Sequence, residues 1–538
     1  MKRVPFLLTS LLVIAVLVCL GWLGLQYSYH RGYQVTPNLG PITPNRILNR
    51  SSGAELTAGN HSDPSTIVLI TLDTTRADRL SVYGYPGKIT PNLEEFATGG
   101  VLFNRAYAAM PTTSPSHATM MTSLYPLQHR LMKNGQKMRS DVLTLAEVLR
   151  EEGYRTAGFV STNRHFGSSG VARGFETLNQ PESREEIVTV DGSETRDLDY
   201  RPARRTLRQA KEWIESNSKT KKVFIWVHFF DPHTPYVDRS KLQQKLARSV
   251  SGNQNRWVNY LRTELALEVP GKDEAGVSAR QSFLESQRRY DAEVRYMDKA
   301  VGSLLDSLQQ HREGRRLTMV VGDHGEGLGN HNWWGHGKHL YNEQVRIPLI
   351  VRFPDGRYAG REIRNTVEAN DLYPTVLRAV DLDSGVLNDR DLPIEGKPLQ
   401  LAGPDRSGQF GYAFLQRRQY DPMSFNKRIL YRIVKVRENW FGPRDLRNRI
   451  NYEFGQKYAL VGGGYKYIHS TMYRDQFYDL KTDFYEQNNR LLDQPELASR
   501  YAGGLKDLIQ RLRNQSPRGT ASVDQEIRKK LEGLGYVN

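Results

Sequence analysis

Thr66-Ile-Val-Leu-Ile-Thr-Leu72 is a short apolar run, rich in β-branched residues, that ends at Asp73. Without polar alternation, a run of this length fits a strand buried on both faces, as in a parallel sheet. Outward from it the same signal recurs at residues 155–161, from Val223 to Phe230 and from Leu317 to Val321. Thr90-Pro-Asn-Leu-Glu-Glu-Phe-Ala97 opens like a helix with Pro in its first turn. Residues 142–152 read as another helix, and Val101 to Tyr107 as a further strand. Strands alternating with helices predict an α/β fold with helices on both faces of the sheet. In such sheets ligands bind beyond the carboxyl ends of strands. Asp73, His233, Asp323 and His324 all fall just after such ends.

The stretch from Pro111 to Pro126 is hydroxyl-rich in its first half. Pro115 marks a helix start, so Thr113 and Ser114 sit where a loop becomes a helix. Unpaired N–H groups at that point attract an anion such as phosphate or sulfate. A hydroxyl there is either a nucleophile or an ordinary helix cap.

Four polar groups therefore stand at strand or helix ends. They are Asp73; Thr113 with Ser114 and His117; His228 with Asp231 and His233; and Asp323-His324-Gly-Glu326, followed by His331, His336, Lys338 and His339. Carboxylate with imidazole suits zinc, manganese or another divalent ion. A metal touching a Thr or Ser oxygen makes it a nucleophile near neutral pH. His and Lys nearby can hold the other oxygens of a tetrahedral anion. A second metal on His228, Asp231, His233 and His336 is left open.

The formal net charge is +16, which agrees with an anionic substrate or an anionic membrane surface. The basic residues are scattered, with no basic tract interleaved with aromatics, so nucleic acid is not an expected partner. The single cysteine, Cys19, excludes intrachain disulfides and a Cys-based metal site. Residues 1–3 carry Lys2 and Arg3, and the apolar segment 4–26 that follows is long enough to span a bilayer. It is expected to be a signal anchor, placing the body outside the cytoplasm in a periplasmic or extracellular position. Residues 27–65, rich in Pro, Asn, Ser and Gly, read as a linker. A catalytic domain is expected over 66–400, with 238–310 as a charged, peripheral helical insertion. A smaller subdomain is expected over 401–538, with hairpin strands in 457–480 and a terminal helix from Asp524 to Leu534.

Several of these segments carry a family resemblance. Ile70-Thr-Leu-Asp-Thr-Thr-Arg-Ala-Asp-Arg-Leu-Ser-Val-Tyr-Gly84, with Thr90-Pro-Asn-Leu93, resembles the opening of the sulfatase family of the alkaline-phosphatase superfamily. Residues 113–126 resemble its nucleophile motif. Asp231-Pro-His-Thr-Pro-Tyr236, Gly322-Asp-His-Gly-Glu326, residues 340–351, 370–377, 464–468 and 477–480 are similar to later landmarks. The resemblance covers roughly 66–490 in the family's order. It implies a large mixed, mostly parallel sheet between helices, with a C-terminal α+β subdomain carrying an antiparallel sheet. Carried over, it makes Asp73, Asp323 and His324 metal ligands. Thr113 is then the nucleophile that also touches the metal. His233 is an anion contact, and His336 or Lys338 the later anion-binding group. Ser114, His117, His228 and Asp231 are the remaining candidates for substrate contacts.

Departures from the family pattern alter the expected chemistry. Thr113 and His117 stand at the first and last positions of the formylglycine signature, so no formylglycine is expected. Thr74 stands where many sulfatases have a second Asp, and His324 where many have an amide. This moves the site from calcium towards zinc or manganese. The expectation is a metal-dependent hydrolase of sulfate or phosphate esters acting through a Thr ester, with the residues leaning towards phosphoester chemistry. The substrate would be an anionic ester, on a glycan or a lipid. The alternatives are a phosphoethanolamine-type head-group transferase and a non-catalytic binding protein of the same fold.

Overall fold

The computed structural model describes residues 64–515, apart from 163–164, most of 182–199, 238, most of 244–276, 313, 383–393, 400–411, 418–455 and 472–473. The segments 1–3 and 4–26, most of the linker and the helix expected at Asp524–Leu534 lie outside the described residues. Among the described residues no helix is long and apolar enough to cross a membrane.

The run that opened the sequence is strand β1 (Thr66–Leu72), and all seven residues are buried. Its neighbours are β5 (Val223–Phe229) and β6 (Arg316–Gly322), both parallel to it. Beyond β5 lie β3 (Arg155–Val160) and β4 (Thr177–Asn179), again parallel. Beyond β6 the direction reverses in β8 (Leu349–Arg352), which continues the short β7 (Arg346–Ile347). Both pair antiparallel with β2 (Val101–Tyr107), and β9 (Arg361–Glu368) lies parallel to β2. The sheet is therefore mixed and mostly parallel, as expected.

Side chains of a strand alternate between its two faces. In β1, Ile67 and Leu69 join one core cluster, while Val68, Ile70 and Leu72 join another. The first cluster takes in Ala118, Met120 and Met121 from α2 (Thr113–Thr122) and Leu145 and Leu149 from α3 (Leu145–Glu151). The second takes in Leu93 and Phe96 from α1 (Pro91–Thr98), Ala210 and Ile214 from α4 (Ala203–Ser216), and the inner face of α5 (Val277–His311). Helices cover both faces, which is why β1 shows no alternation of apolar and polar residues. Each such buried side chain contributes about 1.5–3 kcal/mol.

The segment 238–310 departs from its expected peripheral role. Nearly half of it, from Val277 onward, is α5, and Tyr290, Val294, Met297, Val301 and Leu304 are fully buried in the same cluster as β1. The charged residues that suggested a peripheral insertion occupy the other positions of the helical repeat.

A four-stranded antiparallel sheet follows, in the order β10 (Tyr412–Arg417), β11 (Lys457–Gly462), β12 (Tyr465–Ser470) and β13 (Gln476–Asp479). The two residues linking β11 to β12, Gly463 and Gly464, have φ of +58° and +87°, the left-handed pair that a two-residue hairpin requires. Helix α6 (Leu372–Ala379) belongs to the main core, and α7 (Pro495–Asn514) packs Tyr501, Leu505 and Leu508 with Tyr458, Leu460 and Phe477 of the smaller sheet. The sequence reading had not singled out α7.

Candidate active site

Because β1 and β6 are adjacent and parallel, their carboxyl ends place Asp73 beside Asp323 and His324. Ligand atoms of these three buried residues lie within 4.8 Å of one another. Helix α2 begins over the same point. Thr112 is its N-cap and makes no side-chain cap hydrogen bond. Thr113 is thus the first residue of the helix rather than its cap. Its Oγ1 lies 3.5 Å from Asp73 Oδ2 and 3.3 Å from His324 Nε2.

The turn after β1 is strained. Thr74 has φ +47°, an outlier for a β-branched residue. Such a conformation costs on the order of 1–3 kcal/mol and persists only where its surroundings enforce it. Tyr290 Oη on α5 donates to the Thr74 carbonyl and accepts the Arg76 N–H, each at 2.9 Å. The Thr74 N–H is thereby aimed at Asp323 Oδ1, 3.1 Å away. That oxygen also accepts the His324 N–H at 2.7 Å. One oxygen of Asp323 is fully occupied, whereas Asp323 Oδ2 and Asp73 Oδ1 are buried with no hydrogen-bond partner.

Nδ1 of His324 contacts the Gly325 carbonyl at 2.9 Å and so carries the proton, leaving Nε2 as an acceptor towards Thr113. Burial, and behind it the charge of Glu326, raises the Asp73 carboxyl well above its usual range. Burial and the neighbouring Asp73 do the same to Asp323. Burial and the nearby His336 push His324 well below the ordinary imidazole value. Two unpartnered carboxylate oxygens and a presented imidazole nitrogen are what a divalent cation satisfies, so the residues fit a metal.

His117, one turn along α2, gives its Nδ1–H to the Thr113 carbonyl at 2.8 Å, with Nδ1 3.7 Å from Asp323 Oδ2. Burial lowers its pKa to about 4, so it is neutral at neutral pH. His228 on β5 puts Nε2 3.4 Å from Asp73 Oδ2. His336 lies across the site, its ring 4.5 Å from that of His324 and 5.0 Å from that of His233. His233 stacks on Phe230 with ring centroids 4.3 Å apart. Burial opposes charge on His336, but Glu326, 3.2 Å away, outweighs it and raises the pKa. Thr113, His117, His228, Asp323 and His324 are all fully buried.

Three expected site residues are placed differently. Both oxygens of Asp231 accept the Ala203 N–H at the start of α4, and Oδ1 also accepts from Arg239 at 3.1 Å. That carboxylate, expected to contact substrate, instead closes a helix terminus. Ser114 gives its hydroxyl to the His165 carbonyl and its N–H to Asn134. Lys338 holds Nζ 4.6 Å from the Trp333 ring centroid, while His336 is the one that meets His324. The sequence reading assigned no role to Glu326, although it closes the Gly-Asp-His-Gly-Glu run, nor to Tyr290, Thr71 and Trp226.

Fold and site together define a hydrolase of sulfuric or phosphoric esters. The sulfatase family model matches residues 65–382, more than half of the chain, and the chain belongs to the sulfatase family. It is 24% identical to an arylsulfatase of Clostridium perfringens over 58% of this chain and 74% of that one. It is 22% identical to an N-acetylglucosamine-6-O-sulfatase of Bacteroides thetaiotaomicron over 62% of this chain and 71% of the relative. The crystal structure of a phosphonate monoester hydrolase of Agrobacterium radiobacter shares the fold, with a TM-score of 0.58 and 20% identity over 84% of this chain and 96% of that one.

Proposed function

We propose that the chain hydrolyses anionic sulfate or phosphate esters with Thr113 as nucleophile. The observation that carries this reading is Thr113 Oγ1, buried at the start of α2 between Asp73 and His324. Asp73, Asp323 and His324 would hold a divalent cation, zinc or manganese by their donor types, and such an ion lowers the pKa of a hydroxyl it touches. Thr113 Oγ1 attacks the sulfur or phosphorus, the ester oxygen leaves as an alcohol, and a covalent Thr ester results. Water then releases the inorganic anion and restores Thr113. No formylglycine takes part. His336, whose pKa Glu326 raises, supplies the proton for the leaving oxygen, and His233 beside it contacts the anion.

The name of one relative, an N-acetylglucosamine-6-O-sulfatase, supports a sulfated sugar among the substrates. The apolar segment 4–26 after Lys2 and Arg3 supports a membrane-anchored body outside the cytoplasm, with 27–65 as its tether.

The test is Thr113→Ala assayed with aryl sulfate and aryl phosphate esters after loading with zinc or manganese. Loss of both hydrolyses is expected. Hydrolysis at the wild-type rate would remove Thr113 from the mechanism.

A further inference from the structure

His228 reads most simply as a contact to the substrate anion, but its hydrogen-bond partners give it another role. Thr71 lies on β1 two residues before Asp73, and the sheet register pairs it with His228 on β5. Thr71 Oγ1 lies 3.0 Å from Trp226 Nε1 and 2.9 Å from His228 Nδ1. An indole N–H can only donate, so the Thr71 oxygen accepts from Trp226. Among the described residues the Thr71 hydroxyl has no acceptor other than His228 Nδ1, so its proton is directed there and Nδ1 is the acceptor. In a neutral imidazole the other nitrogen carries the hydrogen. That nitrogen, Nε2, is fully buried, has no hydrogen-bond partner and stands 3.4 Å from Asp73 Oδ2. The opposite tautomer would leave the Thr71 proton without an acceptor and turn a lone pair towards a carboxylate. The ring is held edge-on by His117 and Phe166, with centroids 4.8 and 5.0 Å away.

We infer that His228 is a positioning residue for Asp73: a donor chain Trp226–Thr71–His228 leaves an otherwise unpartnered N–H 3.4 Å from Asp73 Oδ2, and Oδ1 is left to face the cation. This rests on the reading of Asp73 as a metal ligand. It makes His228 neither a contact of the substrate nor a ligand of a second ion. Partners that orient metal ligands in this way typically govern metal affinity by 10–100-fold.

The experiment strips the full-length chain with a chelator and titrates it with Zn²⁺ alone against a chromogenic competitor. Thr71→Val keeps the shape of the side chain and removes the hydroxyl. His228→Asn places its amide near the Nδ1 position, whereas His228→Gln places it near Nε2. Thr71→Val and His228→Asn are expected to weaken zinc binding about 10–100-fold. His228→Gln should restore it to within a few-fold of wild type. At saturating zinc, KM for an aryl ester should be unchanged in Thr71→Val. Zinc affinity equal to wild type in both Thr71→Val and His228→Asn would overturn the assignment. So would a raised KM in the His228 variants with zinc affinity intact, which would return His228 to the substrate. Absence of zinc binding by the wild type would instead overturn the metal reading itself.

Discussion

Thr113 Oγ1 stands 3.3 Å from His324 Nε2, and the polarity of that contact is fixed. His324 has committed its Nδ1–H to the Gly325 carbonyl, so the Thr113 hydroxyl faces an acceptor. The proposed nucleophile and the proposed metal ligand are thus in direct contact. Thr113→Ala is expected to lower kcat by at least about 10³-fold, as for other lost nucleophiles. Thr113→Ser keeps the hydroxyl and should retain measurable turnover. Steady-state kinetics with an aryl ester compares the two.

Tyr290 is predicted to matter although it lies on α5, far along the chain from the turn it supports. Tyr290→Phe leaves the Thr74 carbonyl and the Arg76 N–H without their partner in a buried place. Each orphaned group costs about 1–3 kcal/mol. The variant should unfold at lower urea concentration than wild type. An unchanged midpoint would show that the Thr74 turn needs no support from α5.

Cation binding should stabilise the fold. Asp73 and Asp323 are buried like charges with one unpartnered oxygen each. A ligand that binds only the folded state adds about 2.7 kcal/mol at a hundredfold excess over its Kd. Chelator treatment is expected to lower Tm, and added Zn²⁺ or Mn²⁺ to restore it. Calorimetry showing the same Tm in both conditions would contradict the metal site.

Acid sensitivity follows from His129, at the end of the turn after α2. Burial lowers its pKa from about 6.5 to about 3, with its ring between the Thr119 hydroxyl and the Leu131 N–H. The unfolded chain takes up this proton near pH 6.5 and the folded chain does not. The stability is therefore present above pH 6.5 and is lost as pH falls towards 3. Between pH 7 and pH 5 the loss is about 2 kcal/mol for this residue alone. In urea unfolding at the two values, His129→Gln should shrink the pH-dependent difference by about that amount.

The strands β1, β5 and β6 are legible in the sequence because both their faces are buried, which leaves largely apolar runs that end at Asp73, Asp231 and Asp323. The placing of Thr113 is legible too, since Pro115 marks a helix start. Asp231 is not: a carboxylate after a strand end reads the same whether it meets a ligand or receives the Ala203 N–H. Tyr290 and Thr74 are separated by 216 residues, and no local pattern announces their contact. Helix α5 misleads because charged residues crowd its apolar stripe, and Asp291, Glu293 and Asp298 among them are themselves buried.

The position of β1 has a consequence for how the chain is made. Both of its sheet neighbours, β5 and β6, come later in the sequence. During synthesis β1 emerges early, with both edges open until β5 has been made and one edge open until residue 322 has left the ribosome. Until then Asp73 has neither Asp323 nor His324 beside it, and no ion can be captured by that trio. The proposed metal site therefore draws on residues made at two widely separated times, and it is complete only once β6 has joined β1.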